Sequence, residues 1–346
     1  MVIKRKRQVS IRDVAKASGV SLTTVSLILN KSDQRISDAT RQRVLKAIDD
    51  LGYQPNRLAQ GLQSRKSNIL AILVPQLRHT FADVYFGELI SGIYDVADDA
   101  GYKILLEAAG EEFVGTKRYL ERFDRCFIDG MLFMGSNDEH EFVADLVGPD
   151  RPLMLVDNPR DKHFSVVCDY QTAGRLAAEH LLDLGHREIG FIHGAMDVQT
   201  ARLVRDGFVE ALKAAKIRLP EKRMADGLFT EQGGADAVSV LMKREPSLTA
   251  IFAGNDKMAI GALQRLLLDR KAIPNEVSII GCDDIHQASY TTPALSTVRT
   301  PVYDVGRLAC QRLIDILNGR RETCEEVLPV ELVVRQSTSQ RTPEKV

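Results

Sequence analysis

The order of apolar and polar residues changes character near residue 69. Before that point, apolar residues recur three and four positions apart, as they do along amphipathic helices. After it, short apolar runs alternate with amphipathic stretches, which is the pattern of strands and helices in a parallel α/β sheet. The pattern therefore predicts a small all-α segment at the N terminus and a larger α/β body behind it.

Start and stop signals divide the N-terminal segment into three short helices. Ser10 and Asp13 have the spacing of a capping box, and Ser21 and Ser37 are suited to cap the second and third helices. Gly19 makes a tight break between the first two, because glycine adopts positive φ without steric cost. The predicted helices are Ser10–Ala17, Leu22–Leu29 and Asp38–Leu51. The inner face of the third is expected to consist of Val44, Leu45, Ile48 and Leu51.

Two helices joined by a glycine-containing turn form the geometry that places the second helix in the major groove of DNA. Leu22, Thr23 and Ser26 lie near the start of that second helix and are predicted to contact bases. Ser21 and Thr24 are predicted to hold phosphates. The alternative is a three-helix bundle used for protein contact, and spacing alone leaves both open.

The string IRDVAKASGVSLTTVSLILN, followed by ISDATRQRVLKAIDDLGYQPNRLAQGL, resembles the headpiece of the LacI/GalR (lactose/galactose repressor) family of bacterial transcriptional regulators. The resemblance implies that Leu22 and Thr23 contact bases and that Asn30 also belongs to the DNA-binding set. The family commonly has an arginine where this chain has Leu27. The family's usual operator sequence is therefore not expected to apply here.

Residues 55–67 are predicted to form a hinge. Asn56 is a good helix cap, but a helix this short is marginal alone. The resemblance implies that the segment folds on DNA beside the same segment of a second subunit, with Leu62 as a wedge in the minor groove. Asn56, Arg57 and Ala59 complete the expected DNA contacts. The alternative is a solvated linker in which Leu58 and Leu62 pack on the body.

The body is predicted to contain parallel sheets with helices on both faces, arranged as two lobes. Its predicted helices include Gly87–Ala100, Thr172–Leu184 and Lys257–Asp269. Its predicted strands are Ile69–Val74, Lys103–Glu107, Gly130–Met134, Leu153–Val156, Ile189–Ile192, Ala250–Phe252 and Val277–Ile280.

Polar side chains that follow these strands are candidates for a ligand site, because ligands of such sheets bind beyond the carboxyl ends of the strands. Asp157, Asn255 and Asp283 each follow a strand, and Arg202 lies near the start of a helix. Carboxylates, an amide and a guanidinium in one cleft can bind a polyhydroxylated ligand. An acidic residue after a strand is often only a helix cap, and Asp256 and Asp284 are interpreted so.

The body also resembles the sugar-sensing domain of the same family, itself similar to periplasmic sugar-binding proteins. The segments LAAEHLLDLGHREIGFI, AIFAGNDKMAIGAL, VSIIGCDDI and LSTVRTPVYDVGRLA match in order. The resemblance implies effector contacts at Asp157, Arg202, Asn255 and Asp283, with Phe81 and Tyr85 able to reach the cleft. Two positions depart from the family: Val204 stands where a ligand-binding arginine is frequent, and Cys168 where an aromatic often lines the pocket.

Charge and chemistry narrow the functional class. Residues 1–66 contain 14 basic and five acidic residues, whereas the remainder contains 32 and 42, so a polyanion partner is expected for the first segment only. The five cysteines are scattered, which fits a reduced cytoplasmic protein without a zinc site. Phosphate-loop, nucleophile-elbow and zinc-protease motifs are absent from the sequence. His180 and His186 are expected at surface or capping positions.

The sequence therefore predicts a cytoplasmic, homodimeric repressor that binds operator DNA and responds to a small molecule, with a sugar or sugar derivative as the expected effector. No catalysis, cofactor, metal or membrane contact is expected. A corepressor of opposite sign, a sugar-transport receptor and an enzyme on the same scaffold are the alternatives. The predicted divisions are a helix-turn-helix headpiece at 1–54, the hinge at 55–67, a periplasmic-binding-protein-like body at 68–336 and a polar tail at 337–346.

Overall fold

The chain folds into two compact units, Met1–Ser67 and Asn68–Val346, in the computed structural model. The boundary coincides with the predicted start of the body. The structure describes residues 9–29, 36–53, 66–75, 83–124, 127–135, 141–146, 150–157, 159–160, 163–320 and 325–341.

The first unit contains the three predicted helices, which are confirmed. Helices α1, α2 and α3 span Ile11–Ser18, Leu22–Leu29 and Asp38–Leu51. The capping box of Ser10 and Asp13 is formed, and Ser37 accepts a hydrogen bond from the backbone of Thr40. Gly19 and Gly52 end α1 and α3 with left-handed φ values of 67° and 60°. These local signals therefore set the helix ends.

The core of the headpiece is narrower than predicted. Its fully buried residues come from all three helices, but Leu45 and Leu51 of α3 are 50% and 37% exposed. The prediction that these two leucines face inward was wrong, because Val44 and Ala47 occupy the side of α3 that meets α1 and α2. Three short helices enclose too little volume for a wide apolar face.

The second unit contains two six-stranded sheets, which form two lobes. The N-terminal lobe has strand order β11-β5-β4-β3-β1-β2, and the C-terminal lobe has β12-β10-β9-β8-β6-β7. Every described pairing is parallel except β10 with β12. The strands are β1 Ile69–Pro75, β2 Lys103–Ala109, β3 Gly130–Met134, β4 Leu153–Val156, β5 Phe164–Cys168, β6 Ile189–His193, β7 Met224–Asp226, β8 Ala250–Ala253, β9 Ser278–Asp283, β10 Ser296–Arg299, β11 Glu325–Leu328 and β12 Glu331–Val333.

Helices cover both sheets, as the alternating pattern predicts. They are α4 Val84–Asp99, α5 Glu111–Gly115, α6 Arg118–Asp124, α7 Tyr170–Asp183, α8 Gln199–Ala214, α9 Glu231–Arg244, α10 Asp256–Leu268 and α11 Val302–Leu317, with 3₁₀ turns at Glu141–Leu146, Glu221–Arg223 and His286–Tyr290. No helix among the described residues is long and apolar enough to span a bilayer. All seven predicted strands are confirmed, and β5, β7, β10, β11 and β12 are additional. β7 has three residues and β11 begins with two glutamates, so neither gives a strong apolar run.

The chain passes between the lobes three times: after β5, after β10 and after β11. Such crossings leave a cleft between the sheets and provide the pivot for lobe closure. The residues after 336, predicted to be a polar tail, belong to the C-terminal lobe as far as they are described. Ser337 is fully buried and donates to the carbonyl of Ile279, and its Oγ accepts from the backbone of Ser296.

His186 lies in the interior of the C-terminal lobe, so the prediction of a surface or capping position was wrong for this residue. It is 2% exposed and follows α7. Its ring nitrogens contact Thr249 Oγ1 at 3.0 Å, and Ser278 Oγ and the carbonyl of Ser339 at 3.1 Å each. Burial lowers the pKa of His186, although the Ser339 carbonyl opposes the shift. Burial thus favours the neutral imidazole.

Stability should therefore decline in acid through His186. The unfolded chain binds a proton near the ordinary pKa of about 6.5, whereas the folded protein resists it. The contribution of neutral His186 is present above that pH and is lost as pH falls below it. We expect His186→Gln to lower the thermal midpoint at pH 8 but to reduce the drop between pH 8 and pH 5.5. An unchanged drop in the variant would contradict this assignment.

Candidate functional site

The exposed start of α2 forms one candidate surface. Leu22 is 44% exposed, and Thr23 is also exposed. Ser21 Oγ accepts a hydrogen bond from the backbone of Thr24 at 3.1 Å and lies 2.9 Å from its hydroxyl. Leu22 and Thr23 are thus free of the helix cap, whereas Ser21 and Thr24 are engaged in it. Ser26 is only partly exposed.

This arrangement suits contact with base edges. A helix that projects a leucine and a threonine from its first turn offers an apolar group and a hydroxyl to the groove. The backbone N–H groups of that turn give it a partial positive charge. The other predicted DNA-binding residues lie outside the described residues: Asn30, Asn56, Arg57, Ala59 and Leu62. The predicted effector residue Phe81 also lies outside them.

The second candidate site is a cavity between the lobes of the body. It has a volume of about 210 Å³ and is predominantly apolar. Predicted residues Tyr85, Asp157, Asn255 and Asp283 line it together. The structure thus brings these four side chains, which are far apart in sequence, to one place. A mostly apolar cavity with a few convergent polar groups is typical of small-molecule sites.

Asp157 organises the N-terminal side of the cavity. Its Oδ2 accepts hydrogen bonds from the hydroxyls of Tyr85 at 2.6 Å and Tyr170 at 2.9 Å. Its Oδ1 accepts from the backbone of Cys168 at 3.0 Å. Burial raises the pKa of Asp157, and these three hydrogen bonds oppose the rise. The carboxylate therefore fixes two aromatic rings at the cavity wall. Cys168, noted as a departure from the family, is buried behind them.

Asp283 presents a carboxylate to the cavity from the end of β9. The hydroxyl of Thr300 donates to this carboxylate at a long distance, 3.5 Å between Oγ1 and Oδ1. Burial, followed by the charges of Asp256, Asp157 and Asp83, raises the pKa of Asp283 well above its usual value. Asp283 is partly buried, and a shielded acceptor with so little hydrogen bonding gains free energy when a ligand or water donates to it. Asp283 is therefore poised to accept from a ligand.

Three cavity-lining residues other than glycine have positive φ: Asp157 at 57°, Phe229 at 57° and Asp283 at 119°. Such conformations cost on the order of 1–3 kcal/mol each and persist where the surroundings impose them. They cluster at binding and catalytic sites, so their coincidence here supports a functional role for the cavity.

Asn255 lines the cavity as predicted, but Asn255 rather than Asp256 caps α10. The Oδ1 of Asn255 accepts from the backbone of Met258 at 2.8 Å. Asp256, interpreted as a cap, is fully buried and accepts from Thr297 at 2.6 Å and from the backbone of Ile285 at 2.9 Å. Asp256 therefore holds the loop after β9, and Asn255 combines capping with a place at the cavity.

Arg202 is not among the described residues that line the cavity. Its guanidinium donates to the carbonyl of Met196 at 2.8 Å. Arg205 lies beside Asp206 at 2.7 Å. Val204, between them in sequence, faces inward, is 3% exposed and lines the cavity. Helical periodicity explains the outcome, because positions 202 and 204 lie on different faces of α8.

The lining residues that the sequence did not predict include three with large or charged side chains. Tyr170 begins α7, Lys257 lies in the first turn of α10, and Phe229 lies in the loop before α9. The ring of Phe229 covers Gly194, where a Cβ would lie 2.1 Å from the ring. A lone aromatic residue before a helix has no special pattern. The positions of Tyr170 and Lys257 at helix starts after strands were the signal available.

Comparison with known proteins identifies the chain. Residues 10–56 match the bacterial regulatory proteins of the lacI family, and residues 178–338 match the periplasmic binding protein-like domain. Catabolite control protein A of Priestia megaterium is 31% identical over 95% of this chain and 99% of its own length. The chain belongs to the lacI family. It is a transcriptional regulator with the DNA-binding headpiece and ligand-binding body of that family.

Two solved structures resemble nearly the whole chain. The complex of transcriptional regulator CelR with cellobiose is 29% identical, with a TM-score of 0.73, and covers 95% of this chain and all of its own. The lac repressor dimer bound to operator and the anti-inducer ONPF is 25% identical, with a TM-score of 0.86, over 96% and all of the respective chains.

Proposed function

We propose that this lacI-family regulator is a repressor whose operator affinity depends on a sugar or sugar derivative bound in the cavity between the lobes. The observation that supports this most directly is Asp283, a poorly hydrogen-bonded carboxylate in a mostly apolar cavity. Effector and operator then influence each other through one linkage: an effector that weakens operator binding must itself bind the operator complex less tightly. A corepressor obeys the same linkage with opposite sign.

The chemistry of the cavity favours a ligand with both apolar faces and hydroxyls. The rings of Tyr85, Tyr170 and Phe229 offer surfaces for the C–H faces of a sugar, and Asp283 accepts from its hydroxyls. CelR, which has the same fold, was solved with cellobiose. Asn255 and Asp157 contribute polar edges, and Phe81 and Arg202 remain candidates from the family resemblance.

The effector response should depend on Asp283. Asp283→Asn preserves the shape of the side chain but removes its charge, so it weakens the hydrogen bonds that ligand hydroxyls donate. We expect a loss of affinity of roughly 10-fold or more for an effector found by screening neutral sugars for operator release. Operator binding without effector should persist. Asp269→Asn, an exposed position on the same lobe, is the control and should respond like the parent.

We propose that two subunits bind a near-palindromic operator, as two α2 helices of a dimer would meet successive major grooves. Base contacts are assigned to Leu22, Thr23 and Ser26, and phosphate contacts to Ser21 and Thr24. Asn30, Asn56, Arg57 and Ala59 complete the set, and Leu62 is the proposed minor-groove wedge. The lac repressor, which was solved as a dimer on its operator, supports this arrangement. The proposed action on DNA favours the bacterial cytoplasm as the location of the regulator.

Selection of bound fragments from genomic DNA, followed by retardation assays, tests this function. The chain should bind one sequence more tightly than random DNA. Thr23→Ala should reduce that specific affinity about 10-fold by removing a base contact, while salt-dependent non-specific binding stays unchanged. Gln42→Ala, an exposed position on α3, should have no effect. Equal binding of all DNA by the parent chain would overturn the proposal.

We propose no catalytic role for the chain. Its relatives are regulators, and the proposed cavity chemistry is that of stoichiometric binding. A sugar that binds should be recovered unchanged after prolonged incubation with the protein. Turnover of such a sugar would contradict this part of the proposal and would favour an enzyme on the same scaffold.

A further inference from the structure

An ion pair joins the two lobes at the cavity. The ammonium of Lys257 lies 2.7 Å from Oδ2 of Asp83. Lys257 belongs to α10 of the C-terminal lobe, whereas Asp83 precedes α4 of the N-terminal lobe. Both side chains line the cavity, and they are only 20% and 24% exposed. A pair shielded to this degree attracts more strongly than one in bulk solvent, because less water screens it.

Local helix energetics do not account for the position of Lys257. It is the second residue of α10, where the positive end of the helix dipole disfavours a cation. Asp83 supplies the compensating charge from the other lobe. Its two oxygens have different partners: Oδ1 caps α4 by accepting from the backbone of Tyr85 at 3.0 Å, and Oδ2 meets Lys257. One carboxylate thus orders a helix start and holds the opposite lobe.

The pair lies outside the three segments through which the chain crosses between the lobes. Those segments follow β5, β10 and β11, whereas Asp83 follows β1 and Lys257 follows β8. In a hinged two-lobe protein, contacts at the crossings change little as the lobes move, and contacts away from them form on closure and break on opening. The Lys257–Asp83 contact is of the second kind.

We propose that the interlobe ion pair of Lys257 and Asp83 holds the cleft closed in the ligand-free protein. The two residues are positioning residues: they set the separation of the cavity walls rather than select the ligand. A ligand that enters must wait for the pair to open, and once inside it is retained when the pair reforms. Only the identification of the cavity as an effector site rests on the function proposed above, because closure of the lobes does not depend on it.

Small-angle X-ray scattering of the full-length, ligand-free chain tests the inference. Lys257→Met removes the cation. Asp83→Ser removes the charge and keeps a side chain that caps α4. Each should increase the radius of gyration relative to the parent at equal molecular mass. The combined exchange Asp83→Lys with Lys257→Asp should reduce the increase. Lys271→Met breaks an exposed pair with Glu276 inside the C-terminal lobe and should leave the scattering unchanged. Superimposable scattering curves for the parent and Lys257→Met would overturn the interlobe closure.

The two proposals fail separately. If a sugar releases the chain from its operator but Lys257→Met leaves the scattering unchanged, the closure is refuted and the regulator function stands. If Lys257→Met opens the cleft but no sugar releases the chain from DNA, the closure is supported and the sugar effector is refuted.

Discussion

Gly207→Ala is expected to destabilise the body by about 3 kcal/mol, in the upper range of overpacking substitutions. A Cβ at Gly207 of α8 would lie 1.8 Å from the carbonyl oxygen of Gln171 in α7, and one at Gly174 would lie 1.9 Å from the carbonyl of Val204. The obstacles are backbone atoms of a neighbouring helix, so the two helices must separate to admit a methyl group. Urea denaturation followed by circular dichroism measures the loss.

The same substitution should disturb the cavity, because α7 begins with Tyr170 and α8 contributes Val204 to the wall. Gly87→Ala is the matched control: Gly87 also lies within a helix, α4, but a Cβ there meets no atom within 4 Å. Alanine favours a helix over glycine by up to about 1 kcal/mol, so this variant should be as stable as the parent or more stable. Equal stability of Gly207→Ala and the parent would contradict the close packing of α7 on α8.

Asp157→Ala is expected to destabilise the body by about 3 kcal/mol, because it leaves three buried donors without an acceptor. These donors are the hydroxyls of Tyr85 and Tyr170 and the backbone N–H of Cys168. Alanine is also less suited than aspartate to the φ of 57° at this position. Chemical denaturation measures the difference.

Asp157→Asn separates the charge of this residue from its geometry. Asparagine tolerates left-handed φ and keeps one acceptor oxygen, so its cost should be about 1 kcal/mol. A larger loss of stability in Asp157→Asn than in Asp157→Ala would contradict this explanation. Asp157→Ala should also weaken effector binding, since Tyr85 and Tyr170 lose the group that holds their rings at the cavity.

Neighbouring residues show how far local pattern determines the site. The motif around Asn255 and Asp256 marks the start of a helix after a strand, and both residues are suited to cap it. Which of them does so depends on Thr297 and the backbone of Ile285, because both donate hydrogen bonds to Asp256. These two residues lie more than 25 positions away in the sequence. In the same way, Arg202 was an attractive candidate by chemistry, but the orientation of α8 turns Val204 to the cavity instead.

The division into headpiece and body, the three headpiece helices and the alternation of strands and helices could be predicted from the sequence alone. These features follow from interactions between residues a few positions apart, such as caps, helical periodicity and apolar runs. The family was predicted from motifs that resemble those of its members. Tertiary contacts decide that Asp157 accepts from Tyr85, Tyr170 and the backbone of Cys168, that Asp283 has little hydrogen bonding, that His186 is buried and that Lys257 meets Asp83. Those outcomes depend on groups that the strand order and the lobe crossings bring together, and no local pattern encodes them.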